Sequence, residues 1–392
     1  MWLKNRCFII TARKFKKMQK KIFLLFYFFV TTLTYSQTSP ITENTKISVL
    51  TVGTANESHS LYGHTAIRIY DSKANIDLVY NYGMFDFRTE NFMLKFVKGD
   101  LQYYAAAYAY QDFEYNYHEE NRSIYEQVLN ISLVEKQQLF EKLNTSLNSN
   151  DKFYTYKFIN RNCTTKVIDI LNEVLVGKPI VKRNIDSKTY RDVLFSYVSE
   201  QFYQKLGINI IFGHKVDNQA TVLFLPLDLL ENLKTTTYNN QPLVSGTQTL
   251  FDAKKSIAGF SILDSIYSLI AFLMLFVIFN NNRMNVIYLM ILGIIGLLFS
   301  AIGLYSFHKE VLWNYNILLL NPIFLLLVFF IVRNNAKWIK KTSIICLVFL
   351  GIYVVYMTNK IHFWIVLPIV ITNIIILLRL ILKQNKLLSS VK

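Results

Sequence analysis

The sequence predicts an α+β domain followed by an α-helical membrane domain of about five spans. Three observations carry this. Residues 45–225 mix short, alternating, β-branched runs with helix-period segments and show no internal repeat. From Ile257 onward the 392-residue chain is mostly apolar, in five separable runs. A short apolar run behind a cluster of lysines and arginines lies near the start.

That first run defines the domain organisation. Residues 13–21 read Arg-Lys-Phe-Lys-Lys-Met-Gln-Lys-Lys, ahead of the apolar Ile22–Leu33 and the compact Thr34–Gln37. A charged segment, an apolar run too short to span and a small-residue site make a secretory signal peptide over 1–36, cut after Ser36. Met18 is a second candidate start, and an uncleaved anchor is the alternative. Export makes residues 37–256 periplasmic, 257–382 the membrane domain and 383–392 a cytoplasmic tail.

The net charge of +16 does not signal nucleic acid. Residues 1–36 hold eight Lys/Arg and no acid, residues 37–256 hold 23 against 24, and residues 257–392 hold 11 against two. The exported part is nearly neutral, without the basic stripe a phosphate backbone requires.

The five runs cover about 257–279, 286–305, 316–332, 342–358 and 363–382. Arg283, the cluster Arg333, Lys337, Lys340 and Lys341, and the tail Lys383, Lys386 and Lys392 mark the inner side. The outer connectors hold only Lys309 and Lys360. Trp313, Trp338 and Trp364 stand near run ends, as interfacial residues do. The expected partner is the inner-membrane bilayer.

In the exported part, strands are expected over 47–53, 65–70, 77–82, 101–110, 121–131, 154–158 and 219–225. A helical or turn segment is expected over 92–97 with Gly99, and helices over 132–147, 163–176 and 186–199, the first of these opened by the capping pattern Ser132-Leu-Val-Glu135. Residues 231–249 are polar and lead to the membrane.

Of three cysteines, Cys7 precedes the signal and Cys346 lies in an apolar run, so Cys163 is the lone thiol of the exported part. It follows Asn162, a good N-cap, and opens a helix. Helix N-termini lower thiol pKa values and present free N–H groups, so Cys163 is a candidate nucleophile and Asn162 and Thr164 candidates for oxyanion or helix-cap support. The alternative is a small side chain that merely packs. Of His59, His64, His118 and His214, His64 enters a strand behind Gly63 and is the candidate base. Strict alternation puts it with Ala66 and Arg68, opposite Ile67 and Ile69, on a face expected to meet solvent. The histidine and cysteine spacing offers no metal site, and no cofactor is expected.

Ser60–Ile69, Val79–Phe87, Asn91–Gly99, Asn121-Arg122 and Asn162–Thr165 resemble the Lnb N-terminal periplasmic domain family of Bacteroidota. The apolar tail resembles the Lnb-type transmembrane domain. The order of histidine first and Asn-Cys later is also similar to circularly permuted NlpC-type papain-like folds, whose members are thiol peptidases, amidases and lipid acyltransferases. That second resemblance implies a papain-like domain with Cys163 as nucleophile, His64 as base and a third polar residue from the following strand, Asn81, with Asp86 the rival. The function expected is a thiol hydrolase or acyltransferase on an envelope peptide, peptidoglycan or lipid. The competing expectation is a non-catalytic binding domain docked to a membrane partner.

Overall fold

A seven-stranded antiparallel sheet organises the part of the chain ahead of the apolar helices, in the order β6-β4-β3-β2-β1-β5-β9. Its strands are β1 (Lys46–Val52), β2 (His64–Asp71), β3 (Ile76–Met84), β4 (Gln102–Ala109), β5 (Ile124–Val128) and β6 (Phe153–Thr155), with β7 (Thr237–Tyr238) and β8 (Gln241–Pro242) forming a separate hairpin and β9 (Gln248–Phe251) closing one edge. The computed structural model describes residues 41–57, 60–183, 187–198, 201–254, 260–279 and 281–390. The signal segment with Cys7 and Met18, the cleavage position after Ser36, and His59 lie outside the described residues. Asn44–Lys392 form one unit.

The helices are α1 (Phe92–Lys98), α2 (Tyr110–Glu119), α3 (Leu133–Asn148), α4 (Cys163–Val174), α5 (Tyr190–Tyr197), α6 (Phe202–Ile211) and α7 (Pro226–Thr235). The α3 start is the expected capping box, with Ser132 accepting from the Glu135 amide and Glu135 returning to the Ser132 N–H. Both sheet faces are covered. Tyr80 and Tyr82 bond Asn144 and Ser146 of α3 on one face. On the other, Tyr110 and Phe113 of α2 pack on Leu50, Ala66 and Val79.

This coverage corrects the solvent-face expectation for His64. The Tyr- and Glu-rich stretch 111–119, unassigned from sequence, belongs with Tyr110 to a helix lying over the face that alternation had left open. Burial on both faces also explains why β1 is buried along nearly its whole length.

Three further expectations change. Residues 219–225 form no strand, only an isolated bridge from Gln219 to Thr189. Phe224 and Leu225 are buried in a helical cluster instead, and a short apolar run reads alike in either setting. The polar stretch 231–249 contains the end of α7, the β7–β8 hairpin and the start of β9, which pairs with β5. Residues 202–211, not assigned from sequence, are α6, whose Leu206 belongs to the core of the membrane helices.

The C-terminal part contains α8 (Ile266–Ile278), α9 (Asn282–Tyr305), α10 (Ile323–Val332), α11 (Ala336–Met357) and α12 (Phe363–Ser390). Four segments are long and apolar enough to cross a membrane: 282–305, 309–332, 336–357 and 363–389. Among the described residues, the first expected span is helical over the 13 residues of α8. The third is broken: short 3-10 turns precede α10, which begins after Asn321 and Pro322. The expected tail from 383 continues α12 instead.

The sheet part seats on the connectors expected outside. Phe307 N donates to Lys98 O (2.7 Å) and Gly213 N to Glu310 O (2.8 Å). Asn314 and Asn316 amides donate to the last carbonyls of α6, groups a helix leaves without internal partners. Arg191, 1 % exposed, pairs with Asp217 (2.6 Å), whose other oxygen holds Lys360 (2.7 Å).

Candidate active site

Cys163 is the first residue of α4, and Asn162 caps it. The Asn162 side chain accepts from the Thr165 amide (2.9 Å), and its own N–H donates to the Thr165 hydroxyl (2.8 Å). Asn162 Nδ2 donates to Phe158 O and Phe224 O, both 2.8 Å. Both amide hydrogens are therefore engaged in anchoring the helix start, and the residue also lines the cavity beside Cys163. The Thr164 hydroxyl meets that of Thr65 at 3.0 Å, tying α4 to β2. The backbone N–H groups of Cys163 and Thr164 remain as the first-turn donors.

His64 is the first residue of β2, at the end of the sheet where α4 begins. Its Nε2 lies 3.0 Å from Asn81 Oδ1. Asn81 is fully buried in β3 and its Nδ2 donates to Val79 O at 3.2 Å, which fixes the amide orientation. Oδ1 can only accept, so Nε2 carries the proton and Nδ1 keeps a lone pair. Asp86 lies apart on the surface, paired with Arg88 at 2.8 Å.

Burial pushes the Cys163 thiol up. The His64 hydrogen bond and charge, with bonds from the Thr65 backbone and the Thr164 hydroxyl, outweigh it and hold the pKa below the ordinary thiol value. His118 stacks on Phe251 and His214 bonds Tyr356, so neither reaches the thiol.

Gly83 completes the geometry. The β3–β4 register shifts between Asn81 and Met84, and Gly83 adopts φ +90°. A bulge re-aims the strand end. A Cβ added here would stand 3.6 Å from Cys163 Cβ and 3.5 Å from the Tyr156 ring. The glycine therefore keeps the space beside the thiol open.

Cys163 and His64 line a cavity of about 420 Å³. Its walls are aromatic, with Tyr62, Phe85, Phe92, Tyr103 and Tyr156 prominent. Tyr103 and Tyr156 stack at 4.4 Å. Sequence reasoning did not find these rings; the only hint was an aromatic content of 15 %. Among the described residues, no group of three His, Cys, Asp or Glu could hold a metal ion.

Sheet, helices and apolar segments together define a membrane-anchored protein whose mixed α/β domain brings a cysteine and a histidine to one cavity, with an asparagine bonded to the histidine from behind. Residues 34–195 match the family model described as the Lnb N-terminal periplasmic domain. No curated protein and no solved structure is similar to the chain.

Proposed function

We propose that the chain is a thiol acyltransferase or hydrolase of the inner-membrane outer surface, acting on the acyl group of a lipid. In this reading residues 1–36 are a removed signal peptide, 37–256 the periplasmic catalytic unit, 257–382 its membrane domain and 383–392 the cytoplasmic end. The observation that carries it is Cys163 at a helix N-terminus beside an Asn81-oriented His64, inside an aromatic cavity. A glycan or stem peptide needs polar partners along its length, whereas rings suit an acyl chain. This favours lipid among the three substrate classes considered.

His64 Nδ1 takes the thiol proton, and the thiolate attacks the carbonyl carbon of an acyl ester. The backbone N–H groups of Cys163 and Thr164 receive the developing oxyanion. As the S–C bond stands and the C–O bond breaks, the imidazolium gives its proton to the leaving alkoxide. Water, an alcohol or an amine then attacks the thioester, His64 takes its proton, and the thiolate leaves.

The test uses purified full-length protein with isotope-labelled phospholipid vesicles. A hydroxylamine-sensitive acyl adduct on Cys163 by mass spectrometry is expected, and none on Cys163→Ala. An unmodified wild-type Cys163 that also resists alkylation at neutral pH would leave the non-catalytic binding domain as the better reading.

A further inference from the structure

The helix α1 has no buried residue, although five of its seven side chains are apolar. Met93 and Leu94 are each 65 % exposed, and Phe87, in the turn before the helix, is 72 % exposed. The Phe87 and Phe92 rings meet at 5.1 Å, so these side chains form one patch rather than scattered singles. Such a patch marks a surface that another apolar body covers.

The place of α1 in the fold identifies that body. The carbonyls at its C-terminal end are held by the residues that follow α9. Ser306 Oγ donates to Val97 O (2.8 Å), Phe307 N to Lys98 O (2.7 Å) and His308 Nε2 to Phe96 O (2.9 Å). A Cβ on Gly99 would stand 2.8 Å from the His308 ring, so the glycine admits this seating. The 24 residues of α9 are long and apolar enough to cross a membrane. At about 1.5 Å per residue they span about 36 Å, against a hydrocarbon core of about 30 Å. The Tyr305 end of α9 therefore stands at the membrane boundary, and α1 is bonded to that end. Leu304, Tyr305 and Phe307 are exposed there as well, so the apolar surface of the span runs on into α1. Lys98 Nζ lies 5.6 Å from the centroids of both the Tyr305 and Phe307 rings, as a lysine does with its stem on apolar surface and its charge among headgroups.

The same helix forms one lip of the cavity that holds Cys163, through Phe92, Met93 and Phe96, with Phe87 beside them. From this lip the rings follow one another inward. Phe92 meets Phe85 at 5.8 Å, Phe85 meets Tyr103 at 5.4 Å, and Tyr103 stacks on Tyr156, which with Cys163 flanks Gly83. We propose that α1 lies in the bilayer leaflet facing the sheet domain, with Met93 and Leu94 among the acyl chains, and that the cavity opens sideways into that leaflet along Phe87 and Phe92. A lipid chain then passes from the bilayer towards Cys163 without crossing water. The seating of α1 is independent of the proposed reaction, whereas the route of the chain rests on the reading of a lipid as its substrate.

The experiment uses full-length protein carrying Cys7→Ser and Cys163→Ser, in vesicles of phosphatidylethanolamine and phosphatidylglycerol. Cys346 is buried among the membrane helices and stays unlabelled. A nitroxide is placed on Leu94→Cys or, as a control, on Val176→Cys, an exposed apolar position just past the end of α4 remote from Cys163. Oxygen should relax the Leu94 label more than a water-soluble nickel chelate does, and the order should reverse at Val176. Nickel access at Leu94 equal to that at Val176 overturns the proposal. A Leu94 label shielded from both relaxers also overturns it, by placing protein, a second copy or another part of the chain, on this face. For the route, a vesicle phospholipid with a diazirine on its acyl chain should cross-link to Phe92, Tyr103 or Tyr156. Leu94→Asp, at an exposed site outside the cavity lining, should leave melting in detergent unchanged and cut that cross-linking about tenfold. Undiminished cross-links in Leu94→Asp overturn the route. Cross-linked cavity rings with no acyl adduct on wild-type Cys163 would keep this inference and strike the reaction, and an adduct with an aqueous Leu94 would do the reverse.

Discussion

His64 Nε2 donates to Asn81 Oδ1 across 3.0 Å, and because Asn81 Nδ2 is held by Val79 O, the bond can form in one tautomer only. This makes the pH dependence of Cys163 the first measurable consequence. The thiol pKa is lowered, so thiolate persists below the ordinary thiol range and is lost as pH falls through the lowered value. Alkylation of the wild type at pH 6–7 should be fast. His64→Ala should slow it about tenfold or more there and much less at pH 9, with Asn81→Ala intermediate. Superimposable wild-type and His64→Ala profiles would make His64 a structural residue.

Gly83 supplies a steric test. Its φ of +90° is strained for any L side chain, so Gly83→Ala should cost about 1–3 kcal/mol of stability. The added methyl also faces Cys163 and Tyr156. Labelling by a bulky thiol reagent should therefore fall more than labelling by iodoacetamide. Equal loss with both would show that strain alone is felt.

Arg191 holds Asp217, which in turn reaches Lys360 of a membrane connector. The arginine also donates to the carbonyls of Ile208, Asn209, Phe212 and Gly213. Arg191→Met removes these bonds and leaves Asp217 to Lys360 alone, so a loss of about 3 kcal/mol is expected. Denaturant melts of the full chain in detergent check it, and adding Asp217→Asn should restore part of the loss.

His362 gives a pH effect of defined sign. Burial, helped by Arg191 and Lys360, lowers its pKa from 6.5 to about 4, against the raising pull of Asp217 and Asp192. The unfolded chain therefore takes up the proton first. Stability contributed by the neutral ring is whole above pH 6.5 and declines as pH falls towards 4, by up to about 3 kcal/mol. His362→Gln should flatten the Tm profile between pH 4 and 6.5. An unchanged profile would place the acid sensitivity elsewhere.

Topology is the last prediction. The sheet part seats on the connectors near 306–315 and 358–362, while Lys383 at the other end of α12 reaches Asn282. A reporter after Lys392 should therefore read as cytoplasmic and one in the loop at Asn240 as periplasmic. Both reading from the same side would overturn the arrangement.

Much of this was legible in the chain. The lone thiol behind Asn162, the strands around His64 and Asn81, and the apolar runs with their lysine and arginine bias are local signals, carried by residue type and short spacing. The α3 capping box and the Cys163 helix start appear where they were expected for the same reason. Local patterns could not say that α2 covers the His64 face, because a strand buried on both sides loses its alternation. A resemblance alone favours Asn81 over Asp86, since no local pattern shows that Asn81 bonds His64 while Asp86 pairs with Arg88. The bulge at Gly83, the aromatic cavity and the seating of α6 on the membrane helices come from residues far apart in the chain. Cys163 and His64 stand 99 positions apart and meet because Thr164 and Thr65 bind helix to strand, a long-range contact that no short window of sequence contains.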